Sequence, residues 1–177
     1  DALELTVISL ETQGWGWTAN IPGFGLLADQ FPDPALHIWE FDADNPAVSD
    51  FKPGGRVPLK LFPGILGNAR PEPGCHSVVN PGQFGGNMDT RDICEGATLL
   101  LPVGVEGALF SCGDGHAAQG DGEICGTAIE APMNMVLKFD LVKSVNLSFP
   151  RFSTPGPVTR HFDRMGYEVT MAMGPDL

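Results

Sequence analysis

The sequence predicts an all-β fold, an antiparallel β-sandwich that is jelly-roll-like and carries long loops, from two observations. Sixteen prolines and twenty-three glycines interrupt the 177 residues so often that a long helix has almost no uninterrupted window. Apolar residues between them alternate with polar ones at a period of two, which is typical of strands with one buried face. Roughly seven or eight such strands without a strand–helix–strand rhythm favour an antiparallel sandwich.

Three segments show the alternation most clearly. At the start of the chain, Leu3, Leu5 and Val7 alternate with two polar residues. Residues 134–143 and 167–173 repeat the pattern with large apolar side chains at every second position. Further short strands are expected at residues 37–41, 57–62, 97–103, 108–112 and 123–129.

The first of two long stretches without an evident strand pattern is residues 14–34. Ordered loops of such length need a surface on which to dock, so this one is predicted to frame a functional site. It carries Trp15 and Trp17. These rings form an aromatic cap over the core or, in the case of Trp17, which we expect to be the more exposed, a surface on which a substrate stacks.

The second such stretch, residues 62–86, is predicted to frame the same site. It carries His76 and ends in two glycines that permit a tight turn directly before Asn87. We expect His76 and Asn87, together with Trp17, to contact the substrate.

Residues 113–130, GDGHAAQGDGEICGTAIE, contain a concentration of groups that can carry chemistry. Five glycines stand among Asp114, His116, Asp121, Glu123 and Glu130, and neither Lys nor Arg occurs in the segment. Between Arg91 and Lys138 there are seven acidic residues and no Lys or Arg. A bound cation or protonation must therefore offset the negative charge.

A divalent metal is the first explanation for this segment. The i,i+2 spacing of Asp114 and His116 places both on one face, and we expect Asp89, or alternatively Asp121, to complete the ligands. Nitrogen and oxygen donors suit zinc, manganese or iron, and zinc is our expectation. The alternative is an acidic loop that binds calcium or only forms a turn, although the spacing does not follow the EF-hand pattern.

Acid–base chemistry without a metal is the second explanation. A carboxyl group that is partly buried among others has a raised pKa, which makes Glu123 or Glu130 a candidate general base, with Asp121 beside them. A thiolate nucleophile at Cys125 is disfavoured, because its neighbourhood lacks the pattern of an orienting His partner.

Length and charge restrict the function further. The 177 residues suit one domain, and a net charge of −12 argues against binding nucleic acid or an anionic membrane surface. The apolar runs are too short to span a bilayer. Four cysteines without CxxC spacing favour a reduced, cytoplasmic protein over a zinc-thiolate or disulfide framework.

The segment ALFSCGDGHAAQGDGEICGTAIE, with HSVVNPGQFGGNMD and GWGWTANIPGFGLL upstream, closely resembles the acetamidase/formamidase family. The resemblance extends over nearly the whole chain. The family motifs fall on Asn87 and Asp89 in GGNMD, on Asp114 and His116 in GDGHA, on Asp121 and Glu123 in GDGE, and on Glu130 in GTAIE.

The resemblance implies a β-sandwich amidohydrolase that cleaves short amides such as formamide or acetamide to a carboxylic acid and ammonia, and in some members opens lactams. Family members are longer, so we expect this chain to be the middle portion of one. It would then form a homo-oligomer or associate with further segments of the same protein. The rival hypothesis is a non-catalytic sandwich whose acidic loop binds calcium or docks a subunit.

Overall fold

The computed structural model describes residues 1–155 and 168–171, and the regular structure in these ranges is entirely β. It comprises β1 (Ala2–Thr12), β2 (Trp15–Asn20), β3 (Ala35–Glu40), β4 (Val48–Phe51), β5 (Gly55–Pro58), β6 (Phe62–Gly67), β7 (Gly85–Asn87), β8 (Thr98–Pro102), β9 (Ser111–Ala118), β10 (Ile129–Glu130), β11 (Met133–Val142), β12 (Arg151–Ser153) and β13 (Glu168–Thr170). The predicted fold class is confirmed.

Two antiparallel sheets pack against each other. The first has five strands in the order β11-β1-β8-β12-β13, and the second has six in the order β3-β2-β10-β9-β6-β7. Strands β4 and β5 form a separate two-stranded sheet. Within the described ranges, no helix is long and apolar enough to cross a membrane.

The core lies between the two sheets, where every second residue of a strand points inward. Leu5 and Val7 of β1, Leu99 and Leu101 of β8, and Leu66 of β6 are buried together. Their burial follows from the period of two, because residues i and i+2 of a strand share one face of the sheet.

Two of the three clearest strand predictions are confirmed in position, and the third is confirmed at Glu168–Thr170. Residues 134–143 correspond to β11, and the segment predicted at residues 3–7 continues to Thr12 in β1. A bulge between Val7 and Ser9 shifts the register of β1, which explains why the alternation is interrupted at Ile8. Of residues 167–173, the structure describes 168–171; Tyr167, Ala172 and Met173 lie outside them.

Both loop predictions were wrong in their N-terminal part, where the structure has a strand. Residues 15–20 form β2, and residues 62–67 form β6. Glycine obscured the pattern in each case. A Cβ on Gly16 would lie 2.7 Å from the carbonyl oxygen of Glu130, so this glycine permits the close approach of a neighbouring strand.

Three short strand predictions were also displaced. Ala108 and Leu109 have φ angles of 55° and 50°, so residues 108–110 turn and β9 begins only at Ser111. Residues 123–128 form a turn before β10, closed by a hydrogen bond of 3.0 Å from Gly126 N to Glu123 O. The segment predicted at residues 57–62 divides between β5 and β6.

Replacing Leu99 by Ala should destabilise the protein by about 2–5 kcal/mol, because Leu99 is fully buried and the change leaves a cavity. Leu100→Ala is the matched control, since the neighbouring side chain is only half-buried on the opposite face of β8. Urea unfolding of the two variants measures the difference. Equal destabilisation would contradict the assignment of the inner face.

Candidate metal centre

A buried imidazole surrounded by four carboxyl groups forms the most concentrated chemical site of the described structure. The His116 side chain is 2% exposed. Its Nε2 atom lies 3.2 Å from Glu130 Oε2, 3.3 Å from Asp114 Oδ1, 3.9 Å from Glu123 Oε1 and 4.0 Å from Asp89 Oδ1. These five residues are called the acidic cluster below.

Neighbouring strands of the six-stranded sheet bring the cluster together. Asp114 and His116 lie two residues apart on β9, so their side chains share a face, as the spacing predicted. Glu130 of β10 pairs with His116 across the sheet. Asp89 follows β7, and Glu123 lies in the turn between β9 and β10.

Two of the carboxylates are carried by strained backbone. Asp89 has a φ of 45° and Asp114 a φ of 58°, both in the left-handed region that residues with a Cβ seldom occupy. Such a conformation costs on the order of 1–2 kcal/mol per residue and tends to occur at functional sites.

Gly64 of β6 provides the space in which these two carboxylates meet. A Cβ there would overlap the carboxylate of Asp114 and lie 2.7 Å from Asp89 Oδ1. The carbonyl oxygen of Gly64 also accepts a hydrogen bond of 3.2 Å from the backbone N–H of Asp89. The missing side chain is therefore a requirement of the site.

The close packing of acids changes their protonation. Burial, reinforced by the charge of Asp114, raises the pKa of Asp89 to about 6. Burial and the charge of Asp89 raise the pKa of Glu123 to about 7. The hydrogen bond with His116 lowers the pKa of Asp114. Burial alone would lower the pKa of His116, but its hydrogen bonds to Asp114 and Glu130 and their charges raise it to about 10.

The donor set fits a divalent cation. Ligand atoms of Asp89, Asp114 and His116 lie within 4.8 Å of one another, as do those of His116, Glu123 and Glu130. Oδ1 of Asp89 is buried and has no hydrogen-bond partner among the described residues. Burying a carboxylate oxygen without a hydrogen bond costs free energy unless a cation or a proton binds to it. One imidazole nitrogen with several carboxylate oxygens is a chemistry that suits zinc and other first-row ions.

Asp121 is the predicted catalytic residue that the structure does not bring into the cluster. Its side chain is 89% exposed, and its Oδ1 lies 2.8 Å from Nη2 of Arg91. The glycine at position 122 separates it from Glu123, and the turn directs only Glu123 inward.

The predicted substrate-binding residues occupy three different environments. Asn87 donates hydrogen bonds from Nδ2 to Asp89 Oδ2 and to the Val79 carbonyl, each at 3.1 Å, so it adjoins the cluster. Trp17 pairs with Glu130 across β2 and β10 and is half-buried. Trp15 is the more exposed tryptophan, so our expectation about the pair was wrong.

His76 lies on an exposed loop. Its Nε2 is 2.8 Å from the carbonyl oxygen of Glu72, so this contact stays within the loop itself. The irregular parts of both predicted loops nevertheless touch segments beside the cluster. Leu26 N donates to Ile124 O at 2.8 Å, next to Glu123, and Asn87 binds the Val79 carbonyl.

Gln119 is a member of the site that sequence reasoning missed. Its Oε1 lies 2.9 Å from Nδ1 of His116, and its Nε2 donates to the Asp89 carbonyl at 2.8 Å. A groove of about 730 Å³ is lined by Gln119 and Glu123 and by apolar residues such as Trp39 and Ile129. In the sequence, only its position within the glycine-rich segment pointed to Gln119, because an uncharged amide does not stand out among charged residues.

In a comparison with known proteins, residues 71–172 match the Acetamidase/Formamidase family. An acetamidase of Mycolicibacterium smegmatis is 30% identical over 184 residues, covering 74% of this chain and 45% of that protein. A putative formamidase of Schizosaccharomyces pombe is 27% identical over 216 residues, covering 89% and 52%.

A solved structure shares the fold. The crystal structure of a predicted acetamidase/formamidase from Thermoanaerobacter tengcongensis superposes with a TM-score of 0.80 at 31% identity, covering 87% of this chain and 52% of that one. The chain spans about half the length of the curated relatives it matches. All five residues of the acidic cluster lie within the matched range of the family.

Gly64→Ala should weaken the affinity of the acidic cluster for an added divalent metal such as zinc with little loss of stability, because the added methyl displaces the flexible ends of two carboxylates. Gly113→Ala is the control, as a Cβ at that position meets nothing within 4 Å. Competition with a chromophoric chelator measures the affinity, and thermal unfolding measures the stability. Equal zinc affinity of both variants would contradict a centre built on Asp89 and Asp114.

The metal-free protein should lose stability as the pH rises from about 5 to about 10. Groups whose pKa is raised on folding stabilise the folded state below their unfolded pKa, and this contribution disappears as the pH passes the folded value. The contribution of Asp89 disappears as the pH passes about 6, that of Glu123 as it passes about 7, and that of His116 as it passes about 10. Thermal unfolding of chelator-treated protein at stepped pH measures the slope. In Glu123→Gln the slope between about pH 5 and 7 should be shallower; an unchanged slope would refute the contribution of Glu123.

Proposed function

Because this chain belongs to the Acetamidase/Formamidase family, we propose that it forms the catalytic part of an amidohydrolase. The substrate would be a short aliphatic amide such as formamide or acetamide, or a lactam, and the products would be the carboxylic acid and ammonia. The observation that carries the proposal is the acidic cluster, in which one buried imidazole faces four carboxyl groups. The names of the similar acetamidase and formamidase support the choice of substrate.

Asp114, His116 and Asp89 are the residues proposed to hold a divalent metal, zinc in the first place. Their donor atoms lie within 4.8 Å of one another, and Asp89 Oδ1 has no hydrogen-bond partner in the described structure. When bound, such an ion polarises a carbonyl oxygen and lowers the pKa of a water molecule to about 7.

Glu123 is the proposed general base. Its pKa of about 7 allows it to accept a proton from water near neutral pH and to release it again. The attacking oxygen would form a bond to the amide carbon, the C–N bond would break, and Glu123 would return the proton to the leaving nitrogen. Glu123 also lines the groove beside the cluster, so a substrate entering there would meet it.

Glu130 remains a candidate for an acid–base role, with an additional structural task. Its Oε1 accepts a hydrogen bond of 3.0 Å from the backbone N–H of Ala128, which leaves Oε2 beside His116. Trp17, opposite Glu130 in the sheet, is the aromatic residue proposed to pack against the substrate. Asn87 already uses its amide to orient Asp89, which supports a role in building the site.

We also propose that this chain associates with further segments of the same protein or with a second copy of itself. At 47% exposure, Phe139 and Leu141 leave large apolar surface on β11, the edge strand of the five-stranded sheet as described. A free strand edge with apolar side chains favours contact with another segment or a second copy. A cytoplasmic location is proposed from the cysteine pattern alone.

The rival function is a non-catalytic sandwich stabilised by calcium, which the excess of carboxylate oxygens in the cluster would suit. Elemental analysis of the purified protein separates the two. Zinc near one equivalent with ammonia release from formamide or acetamide supports the enzyme. Calcium without ammonia release supports the rival.

His116→Ala should reduce metal content and amide hydrolysis together, because it removes the only nitrogen donor of the cluster. Glu123→Gln should keep the metal and lower turnover by roughly 10²–10⁴, the usual effect of removing a positioned acid–base group. Asp121→Asn is the matched control in the same segment, and its turnover should stay near that of the parent. Ammonia release and bound metal are measured for all three.

A loss of metal in Glu123→Gln with retention in His116→Ala would reverse the two roles. Parental hydrolysis rates in both variants would refute a catalytic function of the cluster.

A further inference from the structure

The side-chain amide of Gln119 bridges two members of the acidic cluster, and the chemistry of its partners fixes its orientation. The Asp89 carbonyl oxygen can only accept a hydrogen bond, so the atom facing it at 2.8 Å must be the amide nitrogen of Gln119. The amide oxygen Oε1 then necessarily faces Nδ1 of His116 at 2.9 Å.

This orientation requires a hydrogen on Nδ1 of His116 in both the charged and the neutral ring. Because Oε1 of Gln119 only accepts, Nδ1 must be the donor. In the neutral imidazole the other nitrogen, Nε2, then has the free lone pair. Nε2 is the atom that faces all four carboxyl groups of the cluster.

Packing restricts the rotation of the His116 ring. Phe62 packs edge-on against His116, with ring centroids 4.9 Å apart and an interplanar angle of 80°. At the other end of the bridge, Gln119 holds the carbonyl of Asp89, a residue with strained backbone at a φ of 45°. One amide therefore secures the ring of His116 and the backbone that presents the Asp89 carboxylate.

We propose that Gln119 is a positioning residue: it fixes His116 as the Nδ1–H tautomer, so that Nε2 binds the metal, and it holds the backbone of Asp89 in place. This inference rests on the proposed function, since it concerns the same metal. Hydrogen-bonded partners of metal-binding histidines typically change metal affinity by 10–100-fold when they are removed.

Two substitutions separate the parts of this role. Gln119→Met keeps an unbranched side chain of similar length but can neither accept from Nδ1 nor donate to Asp89. Gln119→Glu keeps an acceptor for Nδ1, loses the donor to the Asp89 carbonyl and adds one negative charge. Both are compared with the parent protein, metal-free and with one equivalent of zinc, by nitrogen-15 NMR of the histidine rings and by chelator competition.

The metal-free parent should show a proton on His116 Nδ1 that exchanges slowly with solvent, and the zinc form should keep that proton while Nε2 shifts. In Gln119→Met the Nδ1 proton should exchange rapidly and zinc affinity should fall by about 10–100-fold. Gln119→Glu should restore the slow exchange and most of the affinity. A merely structural residue would not give this rescue of one specific proton.

A slowly exchanging Nδ1 proton and parental zinc affinity in Gln119→Met would overturn the inference. So would rapid exchange in a folded Gln119→Glu, which decides the question if Gln119→Met does not fold. A parent protein that binds no zinc would instead overturn the proposed metal. The Nδ1 proton of the metal-free forms would then still decide whether Gln119 holds the ring.

Discussion

The burial of one imidazole among four carboxyl groups is the constraint on which the rest of this structure depends. Placing several acids in one partly buried volume is unfavourable unless protons or a cation offset their charge. Several features of the structure reduce this unfavourable free energy. The pKa values of Asp89, Glu123 and His116 are raised, and Gly64 has no side chain to occupy the space of the carboxylates. A metal ion would replace the protons and satisfy Asp89 Oδ1.

The two sheets supply the rigidity that this arrangement needs. Strands β6, β9 and β10 are neighbours in the six-stranded sheet, so Phe62, His116 and Glu130 are fixed by backbone pairing. The five-stranded sheet contributes the leucine core behind them. Left-handed backbone at Asp89 and Asp114 is maintained only because the surrounding packing overdetermines it. A looser scaffold would relax these residues and separate the carboxylates.

The groove beside the cluster connects this geometry to the proposed chemistry. Its wall is largely apolar, which suits the acyl part of a small amide, and its polar lining includes Gln119 and Glu123 of the site as well as Lys60 and Arg91. The chain spans about half the length of these relatives, so each of them contains further segments. Every residue proposed here to bind the metal or move a proton nevertheless belongs to the matched range.

The sequence by itself determined the all-β class, the strands with clear alternation, and four of the five members of the cluster within one glycine-rich segment. Asp89 was predicted from a second motif. These inferences succeed because alternation and i,i+2 spacing are local properties of the chain. Only the tertiary structure decided that Glu123 turns inward while Asp121 pairs with Arg91, and that glycine-containing β2 and β6 are strands. It also decided that Gln119 joins His116 to Asp89, thirty residues earlier in sequence. Such contacts depend on the register and turns that bring distant segments together, and no local pattern encodes them.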